Sequence, residues 1–172
     1  MRKSTAFALA ITFVWLFGGR TVWAQKYDDK EHAGLAKALK GVKTSLEKGL
    51  SASEKEGKPI SGKFEVEDGK LQLSVYTMKG DKFSEVIVDH KTGKIVKTEA
   101  ITGGEDLSAS KAQSGAIAKA KLSLRSVTEK AVKANKGFRA VSVTPSLKDG
   151  HPVAEVTLVK GQEFKTASEK LD

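Results

Sequence analysis

The reactive side chains that fall closest together in this chain of 172 residues are acids. Glu65, Glu67 and Asp68 share one turn region, and Asp81, Glu85 and Asp89 fall on or near the next two. Asp28, Asp29 and Glu31 form a further group nearer the start. A hard cation such as calcium needs several oxygens converging at about 2.3–2.6 Å. Glu65 and Glu67 are alternate residues, so a strand puts them on one face. The six hairpin acids are therefore the candidate ligands for a divalent or other hard metal cation. Lys63, Lys70 and Lys82 interleave with them, which favours a solvated face of mixed charge over a metal cage. No cofactor is the first expectation, and metal binding the alternative. EF-hand spacing is absent.

Other chemistry finds little support. There is no cysteine, which removes disulfides, thiolate metal sites and cysteine nucleophiles. The histidines are His32, His90 and His151; none has a partner at i+4, so the paired-histidine zinc site of metallopeptidases is missing. His32 opens a helix and the other two sit in or beside turns. No nucleophile elbow and no phosphate-binding Walker loop occurs. The residues present give no catalytic set, and the expectation is a protein that is not an enzyme. Tyr76 and Met78 fall on the outward side of a strand whose inward residues are Leu73 and Val75. An exposed Tyr and Met on a sheet would make a contact patch for a protein partner, unless another part of the chain covers them.

The elements that hold these residues are legible from periodicity. From Lys63 to Val96 apolar residues alternate: Phe64 and Val66, then Leu71, Leu73 and Val75, then Val86 and Val88. Strict alternation reads as antiparallel strands with one buried face. Asp68-Gly69, Lys79-Gly80-Asp81 and Lys91-Thr92-Gly93-Lys94 supply the turns. Before them, Leu35, Leu39, Val42, Leu46 and Leu50 make one helical stripe over about Glu31 to Glu54. A second helix is expected from Ser108 to Asn135, then strands at Phe138–Thr144, Val153–Val159 and Glu163 to about Ser168. Pro145 and Pro152 belong at strand ends or on an edge, because proline lacks the ladder N–H.

The segment 1–24 has a different character. Arg2 and Lys3 precede the apolar run Ala6–Phe17, and Val22-Trp23-Ala24 offers small residues at the −3 and −1 positions of a cleavage site. This is the layout of a secretory signal peptide, and the run is shorter than the roughly 20 apolar residues that span a bilayer. The expectation is a periplasmic or secreted protein without stable membrane insertion after cleavage. The formal charge is +9, but lysines are scattered among acids rather than clustered, which argues against a nucleic-acid partner.

The chain also matches itself. Asp68-Gly69 corresponds to Asp149-Gly150, Lys79-Gly80 to Lys160-Gly161, and Phe83 to Phe164, all at one constant offset. Leu46–Leu50 aligns with Thr128–Val132 when that offset is lengthened by a single position. The expected fold is α+β: two tandem repeats, each a helix packed on a small antiparallel sheet. Residues 25–99 form the first, 100–107 a linker, and 108–172 a second, degraded copy without a fourth strand.

A helix, hairpin strands and a strand ending V-D-x-x-T-G-K-[IV] resemble the PepSY domain family. The matching residues are Val88-Asp89-His90-Lys91-Thr92-Gly93-Lys94-Ile95. The resemblance covers about Glu31 to Val96 well and the second half more weakly, since the D-x-x-T-G-K ending is missing there. It implies a helix across an antiparallel sheet and an exported module without catalytic activity. In that family such domains occur in propeptides of secreted metallopeptidases, where they are thought to inhibit or chaperone the peptidase, and some members are suspected of binding metal. The functional expectation is recognition or inhibition of a secreted peptidase or another envelope protein, with Tyr76 and Met78 as contacts. The alternative is a periplasmic metal carrier or sensor using the hairpin carboxylates.

Overall fold

Alternating apolar residues bounded by turn residues do form strands, and these join into one sheet. The computed structural model describes residues 29–172, with side chains from His32 onward. The strands are β1 (Lys58–Glu67), β2 (Lys70–Lys79), β3 (Lys82–Val88), β4 (Ile95–Ile101), β5 (Arg139–Lys148), β6 (His151–Lys160) and β7 (Glu163–Lys170). The helices are α1 (Asp29–Ala38), α2 (Leu46–Ser53), α3 (Gly104–Lys119) and α4 (Leu124–Ala134), with a 3-10 turn at Leu39–Gly41. The sheet order is β4-β3-β2-β1-β5-β6-β7, and every pairing is antiparallel. The fold is α+β.

The expected inward face is largely correct. Leu73, Val75 and Val86 are inaccessible to solvent, and Phe64 and Val88 nearly so. Val66 is a correction: at the tip of the β1–β2 hairpin it is exposed. Helix α2 lies on this face. A Cβ added at Gly49 would stand 2.6 Å from Leu73 Cδ2, and one at Gly62 would stand 3.3 Å from both Leu46 Cδ1 and Leu50 Cδ2. Glycine on both elements lets helix and sheet approach closely.

Neither long helix expected from sequence is continuous. The first breaks at residues 42–45 and the second at residues 120–123. At each break a serine in extended conformation caps the next helix. Ser45 accepts from Lys48 N, and Ser123 accepts from Ser126 N. A hydroxyl there satisfies an N–H that the helix start would leave unpaired. The N–H groups just before each cap are also satisfied. Lys43 N and Thr44 N both donate to His90 O, each at 3.0 Å; Lys121 N and Leu122 N both donate to Leu171 O, at 2.6 and 3.0 Å. The apolar stripe misled because helical periodicity persists across a break of about one turn.

The two ends of the sheet correspond in detail. Both first strands carry an extra residue that interrupts pairing, Ile60 in β1 and Val141 in β5. Positive φ recurs at Asp68 and Asp149, at Gly69 and Gly150, and at Gly80 and Gly161. The halves meet where Gly62 pairs with Val143 and Lys63 with Ser142. Each half also reaches across this seam. Lys58 Nζ, on β1, donates to Ile117 O at the end of α3, while Arg139 Nη1, on β5, donates to Leu39 O beyond α1.

Three further differences concern boundaries. The segment 100–107 holds the end of β4, two connecting residues and the first turn of α3, leaving little linker. β1 begins at Lys58 and includes Pro59, beside its bulge. Pro145 lies inside β5, but just where the β1–β5 ladder has ended, so its missing N–H breaks no pairing. The expected signal peptide and the residues up to Asp28 lie outside the described residues. No helix among the described residues is long and apolar enough to cross a membrane.

Candidate functional site

Strand register collects one polar group on the face opposite Leu73 and Val75. Lys63 of β1 pairs with Ser74 of β2, and Tyr76 pairs with Glu85 of β3. Alternation turns Lys63, Glu65, Ser74, Tyr76 and Glu85 to the same side. Lys63 Nζ is 2.6 Å from Glu65 Oε2. Ser74 Oγ, wholly buried, donates to Glu65 Oε1 at 2.9 Å and accepts from Gln72 Nε2 at 3.0 Å. Lys63 Nζ stands 5.9 Å from the centroid of the Tyr76 ring, within cation–π range.

Helix α3 meets β1 beside this group. Ser61, opposite Tyr76 in register, donates its hydroxyl to Gln113 Oε1 of α3 at 2.8 Å. Tyr76 and Met78 are half-buried. They do not form the fully exposed pair that the sequence suggested.

The charges in this group perturb one another. Burial raises the Glu85 carboxyl above its ordinary value, the like charges of Glu65 and Glu67 add to the effect, and Ser74 and Lys63 oppose it. Burial also raises the Tyr76 phenol, with Lys63 acting the other way. For Lys63, burial pulls the ammonium down, but Tyr76 and Glu65 outweigh it, and the group stays charged. The phenol is neutral near pH 7, so Glu65 at 2.6 Å is the partner that holds this cation.

The hairpin acids do not converge. Glu65 and Glu85 share the group just described, where the Lys63 ammonium occupies the space a metal would need. Glu67, Asp68 and Asp81 are exposed, and Asp68, Asp81 and Asp89 belong to three different turns. Among the described residues, no group of three or more His, Asp or Glu side chains is placed to hold a metal ion.

Asp89 has another task. Its Oδ1 accepts from Lys91 N, Thr92 N and Thr92 Oγ1, at 3.0, 2.6 and 2.8 Å. These bonds hold the carboxyl below its usual range, with the Thr92 backbone contributing most. Gly93 N donates to Asp89 O, and Asp89 N to Lys94 O, both at 2.8 Å. The D-x-x-T-G-K segment is thus a closed turn. Its His90 carbonyl docks on the break between α1 and α2, while Leu171 docks in the same way on the break between α3 and α4.

The histidines hold separate posts. The His32 ring stacks on Phe164 with centroids 4.0 Å apart. His151 Nδ1 lies 3.0 Å from Asp172 Oδ2. His90 Nδ1 is buried without a hydrogen-bond partner. Sequence reasoning missed the Lys63–Ser74–Glu85 grouping. Its signal was outward polar residues at alternate positions on three successive strands, which also fits a solvated face. Compared with known protein families, characterised proteins and solved structures, the chain matches none.

Proposed function

We propose that the chain is an exported PepSY-like binding protein of two tandem repeats, acting by recognition and not by catalysis. The repeat reading draws support from the paired bulges at Ile60 and Val141 and from His90 and Leu171, whose carbonyls serve the two helix breaks from equivalent positions in the two halves. The D-x-x-T-G-K turn that carries the resemblance serves as a structural latch, consistent with a signature that holds no active site.

One observation carries the binding reading. The Lys63, Glu65, Tyr76 and Glu85 group is partly desolvated on the outward face of β1, β2 and β3. The residues at the equivalent positions of the second half are Thr144, Ser146, Thr157 and Thr166, so only one half is specialised. Perturbed ionisable groups in partly enclosed places concentrate at functional sites. The partner is a secreted peptidase or another envelope protein, and it meets the accessible edges of Tyr76, Met78 and Glu85.

The test is capture of a partner from the envelope fraction of the source organism, with and without chelator. Capture that survives chelator and is lost in Tyr76→Ala supports recognition. Capture abolished by chelator, or stoichiometric metal in the purified protein with no partner, sinks it in favour of metal binding through the hairpin acids.

A further inference from the structure

A second site lies away from the Tyr76 group. An open groove of about 760 Å³ runs between α1 and the ends of β5 and β6. Phe138 and Val159 form its apolar floor, and Lys37, Lys40, Arg139 and Lys160 surround it. No Asp or Glu is among the described residues that line it. In a chain where acids elsewhere interleave with lysines, four cations around one apolar floor is a local departure.

The cations come from separate elements and face one space. Lys37 is on α1, Lys40 on the 3-10 turn, Arg139 starts β5, and Lys160 ends β6. Arg139 is fixed in place: its Nη1 donates to Leu39 O at 3.4 Å and its Nη2 to Thr44 O at 3.3 Å. Lys165 and Lys160 approach the Phe138 ring, with Nζ 3.9 and 5.9 Å from its centroid. The other end of the molecule supplies a comparison. There Lys58 occupies the place of Arg139, Gly57 the place of Phe138, and Glu54 joins the lining of a groove of about 320 Å³. The larger groove has gained an aromatic floor and, among the described residues, lacks the acid.

We infer that this groove binds a small amphiphile with a single anionic headgroup, its apolar chain on Phe138 and Val159 and its carboxylate or phosphate among Lys37, Lys40 and Lys160. Volume, apolar floor and a few convergent polar groups are the ordinary form of a small-molecule site. Uniform positive charge at the rim selects an anion and raises its local concentration.

The experiment is calorimetric titration of the purified protein with decanoate, decyl phosphate, decanol, decyltrimethylammonium and inorganic phosphate, each below its micelle concentration. The proposal expects one saturable site for decanoate or decyl phosphate, with the tighter of the two identifying the headgroup. Decanol, the cationic amphiphile and inorganic phosphate should each bind at least tenfold more weakly. The double variant Lys37→Gln/Lys160→Gln changes two exposed residues, so folding is retained. It should weaken the anion by roughly threefold to fivefold per lysine, as expected for exposed charge pairs. Equal binding of neutral, cationic and anionic chains, inorganic phosphate as tight as decyl phosphate, no binding at all, or an unchanged affinity in the double variant would each overturn it. Tyr76→Ala should leave this binding unaltered, which separates it from the partner surface.

Discussion

Gly93 offers the sharpest test of the latch. Its φ is +74°, a left-handed conformation that costs an L side chain roughly 1–2 kcal/mol. A Cβ there would also stand 3.3 Å from Thr44 Oγ1 and 3.6 Å from Thr44 Cγ2. Thr44 is 3% exposed, so it cannot swing into solvent to make room. The turn must instead move off the helix break, stretching the two 3.0 Å bonds into His90 O. Overpacking of this kind adds about 1 kcal/mol or more. Gly80 is the control: its φ is +60° and nothing lies within 4 Å of the added Cβ. Gly80→Ala should cost about 1–2 kcal/mol through backbone strain alone, and Gly93→Ala about 2–4 kcal/mol. Urea denaturation with unchanged m-values measures both, and the Gly93 variant should melt about 4–16 °C lower. Adding Thr44→Ala to Gly93→Ala should erase the excess in a double-mutant cycle. Equal losses for Gly80→Ala and Gly93→Ala would refute the claim that this turn is docked against α2's entry.

Other outcomes follow from the same contacts. Removing Leu171 and Asp172 deletes a wholly buried leucine and strands the Lys121 and Leu122 N–H groups; it should cost about 4 kcal/mol or more, read as lost cooperativity in thermal melts. The raised Glu85 carboxyl disfavours its own ionisation in the fold, so its contribution is greatest at low pH and is lost as pH rises through the folded value. Glu85→Gln should therefore raise the melting temperature at pH 7, with the gain fading below the ordinary carboxylate value of 4.5. The depressed Asp89 carboxyl acts in the opposite sense: its stabilisation is present above the ordinary value of 3.8 and is lost as pH falls through the folded value. An Asp89→Asn variant should flatten that acid limb in a pH series of melts. Residues 29–101 and 104–172, prepared separately, should each give poorly dispersed NMR spectra, because Lys58 and Arg139 anchor the opposite half's helices.

Strand positions were legible because alternation of residues such as Leu73, Val75, Val86 and Val88 has one physical meaning in a half-buried sheet. Turns were legible because Asp-Gly and Lys-Gly pairs tolerate positive φ. The helix breaks were not. Ser45 and Ser123 are ordinary helix-face residues in the sequence, and only the His90 and Leu171 carbonyls, delivered from far along the chain, make a break cheaper than a continuous helix. Aligning the helices by sequence sets Ser45 opposite Val127, yet the serine that caps the second break is Ser123, about one helical turn earlier. A slip of one whole turn preserves the buried stripe, so the alignment looks sound on either choice. The site followed the same pattern. Tyr76 was correctly placed on the outward face, but its half-burial could not be read from strand alternation, which gives a residue's side and not its depth. The hairpin acids looked like a cluster because they are close in sequence, yet Asp68, Asp81 and Asp89 are carried to three different turns.

The seam between β1 and β5 has a kinetic consequence. Gly62 meets Val143 only after every element from β2 to α4 has been made, and the last carbonyl to be delivered is that of Leu171. Sheets closed by such distant pairings form slowly, because chain entropy is spent before the contact repays it. A nascent chain of this sequence keeps β1 without its β5 neighbour through most of its synthesis, so one edge of the first half's sheet stays unpaired until the second half emerges.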